Sequence, residues 1–462
     1  MSSRFSLKLG FAPTRRNLFS ASEALRYKEI IHSTVKEMGI NTVDINWLND
    51  EGLLYDAGDV DKVASYFISE KVDAIFSPHC NFGSEDAVAR LAKKVGKPFL
   101  LWGPRDDTPE PDGNRLRDSQ CGLFATGKVL RRYGVPFTYI ENCRVSDAVF
   151  SSGLKNFIAA AGAVKAFKNL RIGQIDTRPQ GFLTMIVDEG ALLERFGIEI
   201  VPVNLQDIVD AMNNILEKRA DFISSEVKRI RARLDNVDAG DDKLQKIAAL
   251  KLAIKEWAQR EDISAIAFQC WNALQGLTGV VPCFLNSELT EDFLPVTCET
   301  DIHGAVTSVI AQALAGWTTP VFFADVTVRH PENDNGELLW HCGPFPLSLR
   351  RPGTSAAISP HYILDSACPG VGEWEIKGGD ISVCRFDGDN DTYKILCARC
   401  KGIDGPKTKG TYVWVEFDDL PAFEEKIVRG PYIHHIAGIH ADIIPALTEF
   451  VRYIPGLELD LS

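Results

Sequence analysis

The 462-residue chain is 45% hydrophobic and 24% charged, which is typical of a soluble protein with two or three folded domains. Its net charge of -13 at pH 7 argues against general affinity for nucleic acid or an anionic membrane surface. No apolar run of about 20 residues predicts a membrane span. The N-terminal stretch 1–16 lacks the apolar block of a signal peptide. Eleven scattered cysteines suit a reducing compartment, so we expect a cytoplasmic protein that binds small molecules.

Strand-like and helix-like segments alternate from residue 5 onward. "FSLKLGFAP", "NTVDINWL", "VDAIFSPHC" and "PFLLWGP" have the composition of buried strands, and helix-periodic segments at 21–39, 59–70 and 84–96 separate them. This alternation predicts a parallel sheet covered by helices.

The alternation restarts after a long apolar helix at about 146–168. Later strands are predicted at "RIGQID", "IEIVPVN", "ISAIAFQC", "FLPVTCE" and "PVFFADV", with charged helices over 205–260. From about residue 345, Gly, Pro and short β-rich runs predict a small antiparallel β domain that ends in a helix. The predicted fold is α/β: two doubly wound Rossmann-like domains, 1–168 and 169–344, and a β-barrel-like domain, 345–462.

Two carboxylates close apolar runs on either side of one predicted helix. Glu299 ends "DFLPVTCE" and Asp325 follows "TPVFFA". If the two runs are consecutive parallel strands, both acids lie at the carboxyl edge of a sheet, where such folds place their sites. Each acid alone is also explained as a helix cap. As a close pair they repel each other unless a proton or a cation lies between them.

Histidines are concentrated in the last third of the chain. His341 lies in "HCGPFP", and His434, His435 and His440 lie in "IHHIAGIH". A single buried histidine is more often a core residue than a ligand. Adjacent histidines in a chain with two strand-end carboxylates indicate a mixed oxygen and nitrogen site, which suits Mn²⁺ or a similar divalent cation. Such a site can polarise a sugar carbonyl while a carboxylate moves a proton between neighbouring carbons, as in aldose-ketose isomerisation through an enediol.

The segments "PVTCETDIHGAVTSVIAQALAG", "FFADV", "HCGPFP" and the late "HH" together resemble the L-fucose isomerase and L-arabinose isomerase superfamily. The resemblance implies Mn²⁺, a homo-oligomer (a hexamer or a related assembly), and a sugar substrate. It implies that Glu299 and Asp325 bind the metal and act as base and acid on the sugar. The late histidine ligand is then His435 or His434, with His435 favoured. His341 matches a ligand position of the arabinose-type enzymes only.

The resemblance also implies substrate-contacting residues. Arg15 and Arg16 follow the first predicted strand, and Gln269 and Trp271 follow another. Guanidinium groups match sulfonate or phosphate geometry, and Arg105 is expected at a neighbouring strand end. These arginines favour an anionic aldose such as sulfoquinovose. The alternatives are a neutral sugar (L-fucose, D-arabinose or L-arabinose) or, in another class, a non-catalytic sugar-binding protein.

Two motif-like segments are given ordinary structural interpretations. "GLFATGKV" nearly matches a phosphate-binding loop, but Val129 replaces the required hydroxyl residue and the segment has helical periodicity. "CARC", at 397–400, has metal-ligand spacing without a second cysteine pair nearby. We therefore expect neither a nucleotide site nor a zinc site at these positions.

Overall fold

The structure is a computed structural model that describes residues 7–168, 170–271, 273–363, 368–389 and 391–462. The chain forms two compact units. The first runs to Lys165 and includes Pro445–Pro455, and the second consists of Ala166–Ile444 and Gly456–Ser462. The division into three domains stays a prediction. In the part of the chain that is described, every helix is too short or too polar to span a lipid bilayer.

The first unit contains a five-stranded parallel sheet in the order β2-β1-β3-β4-β5, as the alternating pattern predicted. Its strands are β1 (Lys8–Phe11), β2 (Asn41–Asp44), β3 (Ala74–Pro78), β4 (Phe99–Trp102) and β5 (Thr138–Tyr139). The helices are α1 (Ala21–Glu37), α2 (Val60–Ser69), α3 (Glu85–Val95), α4 (Ser119–Arg132) and α5 (Ala148–Phe167).

Helix boundaries in this unit follow capping rules. Ser20 accepts a hydrogen bond from the Glu23 backbone N–H before α1 begins, and α3 ends at Gly96 with φ +64°. The phosphate-loop look-alike lies within α4, so the helical interpretation is confirmed. Because the strands are parallel, the loops after β1, β3 and β4 lie at one edge of the sheet.

The second unit begins with a four-stranded parallel sheet in the order β10-β9-β6-β7. Its elements up to residue 314 are β6 (Arg171–Ile175), α6 (Glu189–Phe196), β7 (Glu199–Val203), α7 (Leu205–Lys218), α8 (Ala220–Arg233), β8 (Asn236–Val237), α9 (Asp241–Arg260), β9 (Ala265–Phe268), α10 (Ala273–Thr278), α11 (Cys283–Glu291), β10 (Val296–Thr297) and α12 (Ile302–Leu314). The charged segment 205–260 is helical, as predicted. Helix α12 is buried along its whole length.

A closed six-stranded antiparallel barrel completes the second unit. Its ring order is β16-β15-β18-β11-β12-β17, and pairing between β16 and β17 closes it. The strands after α12 are β11 (Phe322–His330), β12 (Asn333–His341), β13 (Ala357–Pro360), β14 (Pro369–Glu375), β15 (Asp380–Asp389), β16 (Thr392–Ile403), β17 (Thr411–Phe417), β18 (His435–Ile439) and β19 (Leu457–Leu461). The last two helices are α13 (Leu420–Arg429) and α14 (Ile444–Val451).

The prediction that "PVFFADV" forms a parallel strand next to β10 is wrong. This segment begins β11, which pairs antiparallel with β12 and β18 in the barrel. The reason is the short connection at residues 331–332: strands joined by so few residues form a hairpin and must be antiparallel. The barrel therefore begins at Phe322, before the expected boundary at residue 345.

Candidate active site

Glu299 lies in the turn between β10 and α12. Its φ is +53° and that of Thr300 is +59°, so two successive non-glycine residues adopt the left-handed region. Such conformations cost about 1–3 kcal/mol each and occur most often at functional sites. Asp301 then caps α12 by accepting a hydrogen bond from the Gly304 N–H at 2.8 Å. A strained turn thus fixes Glu299 at the edge of the parallel sheet.

Asp325 approaches the same point from the barrel. It is the fourth residue of β11 rather than its end, and in the sheet register it lies opposite His435, the first residue of β18. His435 Nε2 is 3.3 Å from Asp325 Oδ1 and 3.7 Å from Glu299 Oε2. Both carboxylates therefore lie within 4 Å of one imidazole nitrogen, one of them coming from the sheet and the other from the barrel.

His341 adds a second imidazole to this group. It ends β12, and its Nε2 is 3.7 Å from Glu299 Oε2 and 4.0 Å from Asp325 Oδ1. Burial lowers the pKa of His341, but the Asp325 carboxylate and Cys342 outweigh burial and raise the pKa well above its ordinary value. His434 is more exposed and packs edge-on against His435, with ring centroids 4.4 Å apart.

The donor set fits a divalent cation. Among the described residues, Glu299 Oε2 and Asp325 Oδ1 are both buried without a hydrogen-bond partner, which is costly for carboxylate oxygens unless a cation or substrate engages them. One donor atom from each of Glu299, His341 and His435 lies within 4.8 Å of the others, and Asp325, His434 and His435 form a second such set. Oxygen and imidazole donors in this mixture suit Mn²⁺ or a related ion.

A buried ion network supports His435, and it was not predicted. Asp301 Oδ2 lies 2.9 Å from His435 Nδ1, so the Nδ1 proton is directed to Asp301 and Nε2 faces the carboxylates. Arg385 binds Asp301 through two nitrogens, one of them at 3.1 Å from Oδ1, and donates from Nε to Asp387 at 2.8 Å. His303 Nδ1 lies 2.7 Å from the other oxygen of Asp387.

This network keeps Asp301 ionised. Burial alone raises a carboxyl pKa, but Arg385 and His435 outweigh it and hold the pKa of Asp301 far below its usual range. An ionised Asp301 is the partner that fixes the His435 tautomer. The only feature of the sequence that could have indicated this network is Asp301 itself, two residues after Glu299 in "CETD". At that position an aspartate is explained equally well as an ordinary helix cap.

A cavity of about 200 Å³ opens beside these side chains. Trp271 forms part of its wall and packs edge-on against Phe182, with ring centroids 5.1 Å apart. Ile363 and Trp340 add further apolar wall. Gln269 is not among the lining residues, and its backbone N–H donates to the Ile175 carbonyl. Of the two predicted substrate contacts after β9, the structure brings only Trp271 to the cavity.

Arg15 and Arg16 belong to the first unit. Arg15 is buried, donates to both Glu51 oxygens at 2.5 and 3.1 Å, and stacks over a tyrosine ring. The Arg16 side chain is 32% exposed, and its nearest carboxylate, on Glu85, is 3.5 Å away. Arg105 is exposed and follows β4. Strand β3 lies between β4 and β1 in the sheet, so Arg105 is not at the strand end next to Arg15 and Arg16. Of Arg15 and Arg16, Arg16 is the more available to a ligand.

Comparison with known proteins supports the resemblance. Residues 10–168 match the family model described as the N-terminal domain of fucose/sulfoquinovose isomerase. A sulfoquinovose isomerase of Priestia megaterium is 26% identical over 389 residues, covering 83% of this chain and 84% of the relative. Another, of Alkalicoccus urumqiensis, is 26% identical over 399 residues, covering 85% and 87%.

A solved structure from Actinobacillus succinogenes, an ABC transporter periplasmic solute binding protein with bound D-allose, is 14% identical and covers 67% of this chain and 92% of its own. Its TM-score of 0.16 is too low to support a structural argument. The family model and the two long sequence matches agree with the motifs and with the site. These comparisons support the resemblance of the chain to the L-fucose isomerase superfamily.

Proposed function

We propose that the protein is a cation-dependent aldose-ketose isomerase that acts on sulfoquinovose. The observation that carries the proposal is a pair of buried oxygens, one each from Glu299 and Asp325, that have no hydrogen-bond partner in the described part of the chain. They face two imidazoles beside a cavity. Two sulfoquinovose isomerases align over more than four fifths of this chain, which supports this sugar as the substrate.

The residues divide the chemistry between them. Glu299, Asp325 and His435 would hold Mn²⁺ or another divalent cation, which supplies positive charge to orient two sugar oxygens and polarise the carbonyl. Glu299 and Asp325 are the base and acid: one carboxylate takes the proton from C2 and returns it at C1, and the other moves the hydroxyl proton. His435 is favoured over His434 as the histidine ligand because Asp301 directs its Nε2 to the carboxylates. His341 and Trp271 border the sugar.

Arg16 is our candidate for the sulfonate, since Arg15 already binds Glu51 through two nitrogens. The Arg16→Ala variant should raise KM for sulfoquinovose and leave KM for neutral L-fucose unchanged. Arg15→Ala serves as the comparison. Equal effects of Arg16→Ala on both sugars would count against this assignment.

The direct test follows the C2 proton by NMR in D₂O. The protein is stripped with a chelator, restored with Mn²⁺, and incubated with sulfoquinovose, L-fucose, D-arabinose and L-arabinose. We expect metal-dependent C2 exchange and ketose formation, fastest with sulfoquinovose. Glu299→Gln should remove most turnover while exposed Glu256→Gln should not. Binding of a sugar without exchange of any C2 proton would reject the isomerase in favour of a sugar-binding protein.

The same proposal includes properties that the resemblance and the composition predict. These are a homo-oligomer of the hexamer type, a cytoplasmic location, and a division into two Rossmann-like domains and a barrel domain. Light scattering in solution tests the first, since a monomer would have a mass of 51.1 kDa.

A further inference from the structure

Two thiols and an imidazole form a separate group, the thiol cluster, defined by Cys283, Cys342 and His361. Cys283 is the first residue of α11, Cys342 follows β12 directly, and His361 follows β13. The two sulfur atoms are 3.1 Å apart. Exposure is 2% for Cys283, 8% for Cys342 and 3% for His361, so all three side chains are buried.

The imidazole of His361 is oriented toward the sulfurs. Its Nδ1 accepts a hydrogen bond from the Ile363 backbone N–H at 3.1 Å. The ring also forms a side-chain hydrogen bond with Cys342. One donor atom from each member of the cluster lies within 4.8 Å of the other two. This spacing allows a single ion to contact all three residues.

The donor types suit a thiophilic cation. Zinc binds cysteine sulfur at about 2.3 Å and histidine nitrogen at about 2.0–2.1 Å in tetrahedral geometry, which places two sulfurs roughly 3.8 Å apart. The sulfurs, now 3.1 Å apart, would need to separate by about 0.7 Å.

The ring of His341 separates this cluster from the carboxylates. His341 Nδ1 lies 3.5 Å from Cys342 Sγ and accepts from the Cys342 backbone N–H at 3.0 Å. Its Nε2 is directed to Glu299 and Asp325. All three members of the thiol cluster line the cavity. An ion bound by these three residues would therefore have its fourth coordination position open to the cavity, where a water molecule would bind.

We propose that the thiol cluster is a second cation site, specific for a thiophilic divalent ion such as Zn²⁺ and distinct from the carboxylate site. On binding, each thiol loses a proton as its metal-sulfur bond forms, so two protons leave and the ion's two positive charges are matched by two thiolates. The net charge of the buried site stays the same. No oxidant or reductant takes part.

The chain offers a matched control in Cys270 and Cys298, another buried cysteine pair. Cys270 Sγ lies 3.7 Å from Glu299 Oε1, so the third group near this pair is a carboxylate that belongs to the first site. A carboxylate oxygen is a harder donor than imidazole and suits a thiophilic ion less well. Cys298→Ser is therefore expected to leave zinc affinity at the thiol cluster unchanged.

The test uses the full chain, stripped of metal and kept reduced. Cd²⁺ is titrated while the thiolate-to-cadmium absorption band is recorded, and Zn²⁺ affinity is measured by calorimetry with Mn²⁺ present. We expect one strong site whose band is lost in Cys283→Ser and in Cys342→Ser. Zn²⁺ binding by His361→Gln should be at least about 10-fold weaker, because even a supporting partner is worth that much to a metal site.

Thermal unfolding of the metal-free variants checks that each is folded. If one of the three cluster variants does not fold, the comparison uses the two that do. Unchanged Zn²⁺ affinity in the folded variants would overturn the proposal, as would loss of the band in Cys298→Ser instead. Because Mn²⁺ binding at the carboxylates is recorded separately, failure here leaves the proposed isomerase function untouched.

Discussion

Asp301 acts on the candidate active site through His435 rather than through the substrate. Its carboxylate accepts a hydrogen bond from Nδ1–H of His435 on one side and is bound by Arg385 on the other. Partners of this kind fix the orientation of a ligand imidazole. Glu299 and Asp301 lie close together in the sequence, but the partners of Asp301 come from the barrel. One of them, His435, lies 134 residues after Asp301. The ligand residues could thus be predicted and their supports could not.

We expect Asp301→Asn to weaken Mn²⁺ binding about 10–100-fold, because the amide no longer fixes the His435 tautomer. Titration followed by electron paramagnetic resonance measures this affinity. Asp188→Asn is the control, since Asp188 also caps a helix, α6, by accepting a hydrogen bond from the Ala191 backbone N–H. Equal Mn²⁺ affinity in Asp301→Asn and wild type would contradict the positioning role.

Glu337, on β12, should make stability depend on pH. Burial, followed by the nearby charge of Glu424, raises the pKa of Glu337 from 4.5 to about 7. The folded protein then holds this proton more tightly than the unfolded chain. The free energy of unfolding therefore falls as pH rises from about 4.5 through 7, by about 1–3 kcal/mol.

The check is thermal unfolding at pH 5 and pH 8. Glu337→Gln should match wild type at pH 5 and exceed it at pH 8, because the amide carries no charge to bury. Glu425→Gln, on exposed α13 surface, should follow wild type at both values. A Glu337→Gln variant that loses stability with pH as steeply as wild type would exclude Glu337 as the cause.

Among the elements, local pattern predicted the helices and parallel strands well. The helical periodicity of 21–39 and the apolar run at about 146–168 were sufficient to place α1 and α5. Strand β11 was the failure, because its apolar beginning resembles a buried parallel strand and its hairpin partner was not recognised. Closure of the barrel could not be predicted either, since it depends on pairing between β16 and β17, which no local pattern encodes.

The barrel leaves no room for a side chain at Gly438, on β18. In the register of β11 and β18, Gly438 lies opposite Phe322, and a Cβ at Gly438 would lie 2.1 Å from that ring. Gly438→Ala should therefore destabilise the protein by about 1–3 kcal/mol. Gly162→Ala, in the interior of α5 with open space around it, should instead stabilise by about 0.5–1 kcal/mol. Chemical denaturation measures both, and a neutral Gly438→Ala would show that the barrel is less tightly packed there.

On the scale of the whole molecule, the site joins two kinds of sheet within one unit. Glu299 comes from the edge of a parallel sheet, whereas Asp325, His341 and His435 come from the barrel. The sequence motifs predicted which residues meet, but the reason offered for Asp325, a neighbouring parallel strand, was wrong. Composition and charge predicted a small-molecule protein, and only the motifs narrowed this to a sugar isomerase.

The most direct test of the central claim measures whether Glu299 and Asp325 hold one cation together. Electron paramagnetic resonance counts Mn²⁺ bound to wild type, to Glu299→Gln, to Asp325→Asn and to exposed Glu256→Gln. We expect one tight Mn²⁺ per chain in wild type and Glu256→Gln, and at least about 10-fold weaker binding in each site variant. Tight binding of one Mn²⁺ that survives both site substitutions would contradict it.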